Sequence, residues 1–152
     1  MTLHKLERTQ LLKITMDEAW EFFSTPRNLN EITPPNLRFE ITSGADTDMY
    51  AGQIITYRIE LFPGIKQNWI TEITTVEERT FFVDEQRFGP YKFWHHKHFF
   101  EEKENGVLVT DVVHYALPFG ILGSIAHGLL VKERLKQIFD FRYNYLHDKF
   151  NI

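Results

Sequence analysis

The sequence predicts an α+β domain in which a seven-stranded antiparallel sheet curves around one long C-terminal helix. The first observation is a strand-like run at the N-terminus followed by two short helical stretches. The second is a series of six strand-like runs separated by turn residues, and the third is an uninterrupted helical pattern from about Ser124 to Phe150. One amphipathic helix cannot cover both faces of seven strands, so we expect the sheet to curl around it, with one face in water.

The N-terminal part begins with a strand-like run from Leu3 to Ile14. The segment Thr15-Met16-Asp17-Glu18 that follows is a capping box, in which Thr15 and Glu18 each accept a hydrogen bond from the other's backbone. A short helix is expected after it. Thr25-Pro26 predicts the start of a second short helix, because proline suits the first helical position, and Pro34-Pro35 ends it.

The middle of the chain has the period of two that is typical of strands. Turn residues such as Pro63-Gly64, Gly89-Pro90 and Asn105-Gly106 separate the runs, and short turns of this kind join antiparallel neighbours. The six predicted strands are Leu37 to Thr42, Gln53 to Phe62, Ile65 to Val76, Thr80 to Phe88, Tyr91 to Glu102 and Val107 to Leu117.

The C-terminal helix has an apolar face that should pack on the sheet. Placed at the helical period, one side carries Val131, Leu135, Ile138, Phe139, Tyr145, Leu146 and Phe150. Arg142 lies near the middle of this side, where a charge is costly unless it is paired. We expect it to face inward and to meet a sheet carboxylate such as Asp84 or Glu72, or an acidic ligand. The alternative is that its head group reaches solvent near the helix end.

Composition limits the class of protein. With 152 residues the chain has the size of one domain, residues 1–152, and its aromatic share of 15% is high. A net charge of −4 and a pI near 6.0 argue against nucleic acid or an anionic membrane surface as the main partner. There is no cysteine, which excludes disulfides and thiolate metal sites. No apolar run approaches the about 18 residues that span a bilayer, so we expect a cytoplasmic protein without integral membrane association.

Several motifs resemble those of the START-like superfamily, also called SRPBCC, over essentially the whole chain. They are Trp69-Ile70-Thr71-Glu72-Ile73, Phe82-Val83-Asp84-Glu85-Gln86, Gly89-Pro90-Tyr91, Trp94 to Phe100, and Tyr115 to Gly120 running into the helix. The chain is most similar to bacterial ligand-binding members of the cell-division-inhibitor-like or polyketide cyclase/dehydrase-like type. The resemblance implies the helix-grip fold, with a cavity for an apolar or lipid-like small molecule between the concave sheet and the helix. It supplies no catalytic motif.

Candidate ligand-binding residues come from the central strands and the C-terminal helix. His96 and His98 are two residues apart on one strand and share a face, while His95 points the other way. The full set of expected ligand-binding residues is Tyr57, Trp69, Asp84, Gln86, Trp94, His96, His98, Phe100, Phe139 and Arg142.

A metal site is an alternative use of the histidines, since two imidazoles on one face can chelate a metal when further ligands arrive. Asp84, Asp111 and His114 are the candidates for those ligands. We expect no metal and no other cofactor, because the sequence has no HExxH or clustered His/carboxylate motif.

Three functions fit these features. The preferred one is binding of a small hydrophobic or aromatic molecule in a cavity of at least about 300 Å³. The second is a cyclase, dehydratase or hydrolase that uses Asp84, His96 and His98 as acid-base groups, which requires a strand register that brings them to one face. The third is a regulatory protein-binding module that uses the outer sheet face or an apolar lid. Phe119, Ile121, Leu122 and Ile125 could form this lid, or they could equally be buried core residues under that turn. The sequence predicts no oligomeric state.

Overall fold

The structure, a computed structural model, describes residues 1–120, 122, 125 and 127–151. Its architecture is the predicted one: strand, short helices, six strands and a long helix. The α-helices are α1 (Met16–Phe23) and α2 (Lys132–Phe150), with short 3-10 turns at Pro26–Asn30 and Pro35–Leu37. The strands are β1 (His4–Leu12), β2 (Glu40–Ser43), β3 (Gln53–Phe62), β4 (Ile65–Glu77), β5 (Phe81–Phe88), β6 (Phe93–Lys103) and β7 (Gly106–Ala116).

The seven strands form one sheet in the order β1-β7-β6-β5-β4-β3-β2, and every neighbouring pair is antiparallel. Strands β3 to β7 follow one another by short turns, as the turn residues predicted, and residues 44–52 connect β2 to β3. The additional pairing is that of β1 with β7, in which His4 lies opposite Tyr115 and Leu12 opposite Val107. The first strand therefore lies beside the last one, and β1 and β2 form the two edges of the sheet.

The capping box that predicted the start of α1 is confirmed. The Thr15 side chain accepts a hydrogen bond from the Glu18 backbone N–H at 3.2 Å, and the Thr15 N–H donates to the Glu18 carboxylate at 2.8 Å. This reciprocal capping box fixes where the helix begins. The second predicted helix is a 3-10 turn at Pro26–Asn30 rather than an α-helix.

The start of β2 differs from the sequence expectation. The predicted strand from Leu37 begins only at Glu40, because Pro35–Leu37 forms a 3-10 turn and Arg38 adopts a left-handed φ of 48°. In the C-terminal helix, a π-helical turn at His127–Val131 leads into the α-helix at Lys132. Its predicted first residue, Ser124, lies outside the described residues.

The interior contains two hydrophobic clusters on the concave face of the sheet. The first packs α1 against the far end of α2 and includes Phe22, Phe23, Phe82, Phe100 and Leu146. The second packs the near end of α2 on the sheet and includes Ile59, Trp69, Tyr91, Leu135 and Phe139. The polar residues described below lie between these clusters.

Candidate functional site

A cavity of about 160 Å³ lies between the concave face of the sheet, α2 and the two 3-10 turns. It is smaller than the about 300 Å³ expected for an ordinary small-molecule site. Its walls are mainly aromatic and aliphatic, with Phe22, Leu37, Ile55, Trp69 and Leu135 among them. An apolar cavity of about 150 Å³ can hold a molecule of the size of benzene, so the space suffices for a small aromatic group.

Most of the residues expected to bind a ligand line this cavity. They are Tyr57, Trp69, Asp84, Trp94, His96, His98, Phe139 and Arg142. Gln86 and Phe100 are not among the lining residues. The Gln86 side chain instead bonds both backbone groups of Tyr91, donating to its carbonyl at 2.7 Å and accepting from its N–H at 3.0 Å. Phe100 is buried against Trp20 and Phe23 in the cluster below α1.

The strand register brings a group of ionisable side chains to the cavity. Asp84 on β5 lies directly opposite His96 on β6, and His98 lies opposite Asp111 on β7. Directly opposed residues in an antiparallel pair point to the same face. All four side chains therefore lie on the concave face, together with Arg142 from α2, and we call these five residues the polar network.

Each histidine of the polar network is hydrogen-bonded to a carboxylate. His96 Nε2 donates to Asp111 Oδ1 at 2.8 Å, and His98 Nε2 donates to Asp84 Oδ2 at 2.5 Å. Because a carboxylate only accepts, both Nε2 atoms carry the proton. The two imidazoles stack with ring centroids 3.6 Å apart, and Phe82 stacks on the other side of His98 at 4.0 Å. The rings are thus held rigidly in place.

Arg142 faces inward, as expected, and is only 7% exposed. Its Nη2 lies 3.2 Å from Asp111 Oδ1, so its partner is Asp111 and not Asp84 or Glu72. Glu72 instead accepts a hydrogen bond from Arg87 at 2.9 Å on the outer part of the sheet. The alternative in which the Arg142 head group reaches solvent is wrong for this structure.

The two histidines differ in their pKa. Burial alone would lower the pKa of His98, but its contacts with the carboxylates of Asp111 and Asp84 outweigh burial and raise the pKa above 6.5. Burial and the nearby charge of His98 lower the pKa of His96 below 6.5, against the attraction of both carboxylates. Since two stacked imidazoles disfavour a double positive charge, His98 becomes positively charged before His96 as the pH falls, and between the two pKa values the pair carries one positive charge.

The two carboxylates are ionised in this environment. Burial tends to raise the pKa of Asp111, yet Arg142 and the histidines hold it well below 3.8. The pKa of Asp84 is also lowered, because His96, His98 and Arg142 together outweigh burial. Two carboxylates, one guanidinium and one imidazolium make the polar network electrically neutral, which explains how it can lie inside the protein.

Two buried nitrogen atoms of the polar network, His98 Nδ1 and Arg142 Nε, have no hydrogen-bond partner. The Nδ1 atom lies 3.4 Å from Asp111 Oδ1 without forming a hydrogen bond. Buried donors normally find an acceptor, and groups left without one in a native protein call for a reason such as a bound molecule.

The Tyr57 hydroxyl and the Trp69 indole continue the cavity wall on the same face of the sheet as the polar network. Trp69 Nε1 donates to Thr71 Oγ1 at 3.0 Å, and the Tyr57 hydroxyl lies 3.5 Å from the same oxygen. Burial raises the pKa of Tyr57, so its hydroxyl stays protonated at physiological pH. Tyr57 and Trp69 stack with centroids 5.6 Å apart and present a flat apolar surface to the cavity.

Asp84, His96 and His98 also satisfy the geometry of a metal site, since one ligand atom from each lies within 4.8 Å of the others. The remaining sequence candidates do not add to this set. Asp111 is bonded to His96 and paired with Arg142, and His114 lies opposite His95 on the other face of the sheet. A divalent cation would add charge to a network that is already neutral, so the charges favour a proton and not a metal.

Sequence reasoning placed Asp111 only among possible metal ligands and omitted Thr71 from the ligand-binding set. The signal for Asp111 is present in β7, where it alternates with the buried Val109 and Val113. Because side chains alternate along a strand, the carboxylate of Asp111 must lie on the buried face of β7, where it needs a cation as its partner. Arg142 is the cation, and the pair could have been deduced from the two anomalies together.

The comparisons with known proteins show the fold. No family model matches the chain, and no curated protein matches its sequence. The structure is similar to the Zhui aromatase/cyclase from Streptomyces, with 12% identity, a TM-score of 0.73 and coverage of 97% of this chain and 93% of that chain. It is also similar to a protein from Chromobacterium violaceum, with 10% identity, a TM-score of 0.73 and coverage of 98% and 99%.

A plant protein has the same architecture. The ginseng major latex-like protein from Panax ginseng is 18% identical, with a TM-score of 0.59 and coverage of 89% of this chain and 96% of that chain. These likenesses confirm the helix-grip fold that was predicted from the sequence. At this level of identity they establish the fold alone.

Proposed function

We propose that this protein binds a small, mainly aromatic molecule that carries one hydrogen-bonding oxygen. The observation that supports the proposal most strongly is the cavity of about 160 Å³, which has aromatic walls and a buried, neutral polar network at one point. Filled cores pack at a density that leaves few such spaces. Binding sites of this type combine apolar walls with a few polar groups that fix the ligand's orientation.

The polar network indicates that the ligand carries a polar group. Asp84, His96, His98 and Arg142 line the cavity among otherwise mainly apolar walls. An oxygen-bearing aromatic molecule can form a hydrogen bond with this part of the wall, whereas a hydrocarbon leaves the polar groups without a partner in the ligand. We therefore infer a preference for oxygen-bearing aromatic compounds over the corresponding hydrocarbons.

Calorimetric titration with 2-naphthol and naphthalene tests this proposal, because the two probes differ only by the hydroxyl group. We expect 2-naphthol to bind about tenfold more tightly, which corresponds to one hydrogen bond of about 1.4 kcal/mol. Ile138 lines the cavity, so Ile138→Trp should fill the space and weaken binding of both probes. Ile54 is 46% exposed and outside the lining, and Ile54→Trp is the matched control.

Two results would contradict the binding proposal. One is the absence of binding heat for both probes with the folded wild-type protein. The other is equal binding by wild type and Ile138→Trp, which would place the probes elsewhere. Native mass spectrometry of the purified protein complements the titration, since a co-purifying molecule would identify the natural ligand directly.

A second function, acid-base catalysis in the same cavity, is favoured by the position of the polar network. Asp84, His96 and His98 all lie on the concave face and line the cavity, where a bound substrate would meet them. In the Asp84–His98 pair, the carboxylate orients the imidazole and raises its pKa, an arrangement suited to moving a proton. The likeness to an aromatase/cyclase is compatible with such chemistry, although it extends only to the fold.

Exchange of the α-protons of acetophenone with deuterated water, followed by NMR, tests the catalytic function. His96, which has the lowered pKa and whose Nε2 donates to Asp111, would accept the α-proton at Nδ1 and return deuterium after exchange with solvent, so His96→Gln should slow exchange by about a hundredfold or more, as expected for loss of a general base. His95 faces the opposite side of the sheet, and His95→Gln is the matched control. Exchange no faster than in buffer, or equal rates in the two variants, would contradict catalysis and leave the binding proposal unaffected.

A further inference from the structure

One end of the molecule combines several turns that are distant in sequence. The β3–β4 turn, the β5–β6 turn and the segment between β7 and α2 all lie at the same end of the antiparallel sheet. The Lys92 N–H donates to the Ala116 carbonyl at 2.9 Å, which joins the β5–β6 turn to the end of β7. The Arg134 guanidinium lies 5.6 Å from the centre of the Phe62 ring, which joins α2 to the β3–β4 turn. We call this surface the turn end.

Exposed apolar side chains are concentrated at the turn end. Among the described residues, fourteen large apolar side chains are exposed. Ten of them lie at the turn end, namely Met1, Leu3, Ile65, Phe88, Phe93, Phe119, Leu122, Ile125, Leu129 and Leu130. Single exposed apolar residues are normal on a protein surface, but a concentration of this kind marks an interaction site.

This exposure contradicts one of the sequence alternatives for the apolar segment after β7. Phe119, Leu122 and Ile125 are not buried core residues, since all three are exposed, and Ile121 lies outside the described residues. Phe119 is 82% exposed and has a φ of 73°, a left-handed conformation that is unfavourable for a bulky residue. Backbone strain that holds a phenylalanine in solvent, away from the core, favours a functional role for that side chain.

The charge of the turn end is opposite to that of the whole protein. Residues 62–66, 87–93 and 117–134 contain five basic residues, Lys66, Arg87, Lys92, Lys132 and Arg134, and one acidic residue, Glu133. Arg87 is paired with Glu72, so the turn end keeps an excess of three positive charges. The whole chain has a net charge of −4. The opposite end of the sheet is acidic, because residues 44–52, 77–80 and 101–106 contain seven acidic and two basic residues. No basic cluster is visible in the sequence, because the folded chain assembles it from separate turns.

We propose that the turn end docks on the surface of an anionic phospholipid bilayer. Protruding Phe, Leu and Ile side chains surrounded by lysines match the two parts of such a surface, with apolar groups entering the acyl boundary and lysines meeting lipid phosphates. Within the described part of the chain, no helix is both long and apolar enough to cross a membrane. The contact is therefore peripheral, and the acidic opposite end points away from the lipid.

The turn end also lies beside the cavity. Leu61, Tyr91 and Leu135 line the cavity and belong to or adjoin the turns that form this surface. Docking would bring this apolar part of the cavity wall close to the acyl chains. The membrane contact depends only on the surface residues, so it can be tested with or without a ligand in the cavity.

Co-sedimentation of the purified protein with vesicles tests the docking. One set of vesicles contains phosphatidylcholine alone, and the other contains about one quarter phosphatidylserine. We expect binding to the anionic vesicles at low salt, and at least about tenfold weaker binding both to neutral vesicles and at about 1 M salt, where the Debye length falls to about 3 Å.

Two pairs of variants assign the binding to this surface. Phe119→Ser/Leu122→Ser/Leu129→Ser should weaken binding by about tenfold or more, because it removes exposed apolar groups without touching the core. Its control is Tyr50→Ser/Ile54→Ser/Phe99→Ser, which alters exposed apolar residues away from the turn end. Lys92→Glu/Lys132→Glu should abolish the preference for anionic lipid, whereas Lys13→Glu/Lys103→Glu makes the same charge change at the opposite end. Unfolding curves equal to that of wild type confirm that each variant is folded.

Three results would overturn the docking proposal. The first is no binding of the folded wild-type protein to anionic vesicles at low salt. The second is equal loss of binding in the turn-end variants and their controls. The third is a stable dimer by sedimentation velocity that the Phe119/Leu122/Leu129 variant dissociates, with no vesicle binding, since the apolar surface would then be an interface between two copies of the chain.

Discussion

Asp84 and Asp111 are two buried carboxylates with the same histidine neighbours and different surroundings. Both lie on the concave face, and each accepts a hydrogen bond from one of the stacked imidazoles. Asp111 is 10% exposed and is paired with Arg142 at 3.2 Å, whereas Asp84 is 18% exposed and lines the cavity. One carboxylate thus joins the sheet to α2, and the other is within reach of a ligand.

This difference shows how one polar cluster can serve both the fold and the site. The Asp111–Arg142 ion pair fixes α2 on the sheet, and it neutralises charge that would otherwise oppose the burial of Asp84 and His98. With the charge balanced, Asp84 and His98 remain at the cavity wall, where a ligand can contact them. Substitutions at the two aspartates should therefore have different consequences.

The largest effect is expected for Asp111→Asn. The substitution leaves the Arg142 guanidinium buried without its nearest counter-ion, which for a buried ion pair costs about 3–5 kcal/mol. The free energy of unfolding from urea denaturation measures the loss. The double variant Asp111→Asn/Arg142→Met is the control, because removing both charges should restore part of the stability and give a large coupling energy. A loss below about 1 kcal/mol for Asp111→Asn would mean that the pair does not fix the helix.

A smaller loss of stability is expected for Asp84→Asn. The asparagine keeps the shape and an acceptor oxygen, so the change weakens one charged hydrogen bond, to His98, by about 1–2 kcal/mol. Affinity for 2-naphthol should change in this variant, because Asp84 lines the cavity and orients His98. Unchanged affinity together with a loss as large as that of Asp111→Asn would remove the distinction between the two aspartates.

The pKa values of the two histidines should be shifted from 6.5 in opposite directions. In NMR spectra of the imidazole rings, we expect the midpoint of His98 above 6.5 and that of His96 below it. In Asp84→Asn the midpoint of His98 should fall, because a carboxylate that raises its pKa has been removed. Two midpoints that coincide near 6.5 would contradict the opposite pKa shifts and the single positive charge assigned to the histidine pair.

The same pKa directions determine how stability depends on pH. His98, with its raised pKa, contributes stability that is fully present below pH 6.5 and is lost as the pH rises through its folded-state pKa. His96, with its lowered pKa, contributes stability that is present above pH 6.5 and is lost as the pH falls through its folded-state pKa. The carboxylates of Asp84 and Asp111 contribute stability above pH 3.8 that is lost in acid. Because the His96 contribution changes below pH 6.5 and that of His98 above it, stability should be greatest near pH 6.5 and fall on both sides, with a further steep loss below pH 3.8.

Much of the fold was predictable because its signals are local. Turn residues such as Pro63-Gly64 and Asn105-Gly106 join consecutive strands, and consecutive strands joined by short turns become antiparallel neighbours. The pairing of β1 with β7 has no such local signal, because about a hundred residues separate the two strands. The start of β2 was misplaced because the left-handed Arg38 depends on its surroundings and not on its own preference.

The candidate site was predictable in its residue types and less so in its pairings. Strand alternation placed His96 and His98 on one face, and the helical period placed Arg142 inside. The helical period could not identify the partner of Arg142. That partner is Asp111 and not Asp84, because β7 is the strand that lies beneath that turn of α2. The cavity volume was overestimated, since it is set by how aromatic side chains from both clusters pack, which no pattern in the sequence specifies.

The smallest effect is expected for the Arg8–Asp140 ion pair, which tests whether burial explains the importance of Arg142–Asp111. Both pairs join α2 to the β1–β7 edge of the sheet through an arginine and an aspartate, and the exposed pair is the shorter one at 2.8 Å. Arg8 and Asp140 are 32% and 39% exposed, so water and salt screen their attraction, and Asp140 is also held by Lys136. Asp140→Asn should therefore cost only about 0.2–1 kcal/mol, and the loss should shrink further at high salt, whereas that of Asp111→Asn should not. A cost for Asp140→Asn equal to that for Asp111→Asn in the same urea titrations would show that the contact itself, and not its burial in a neutral network, holds α2 on the sheet.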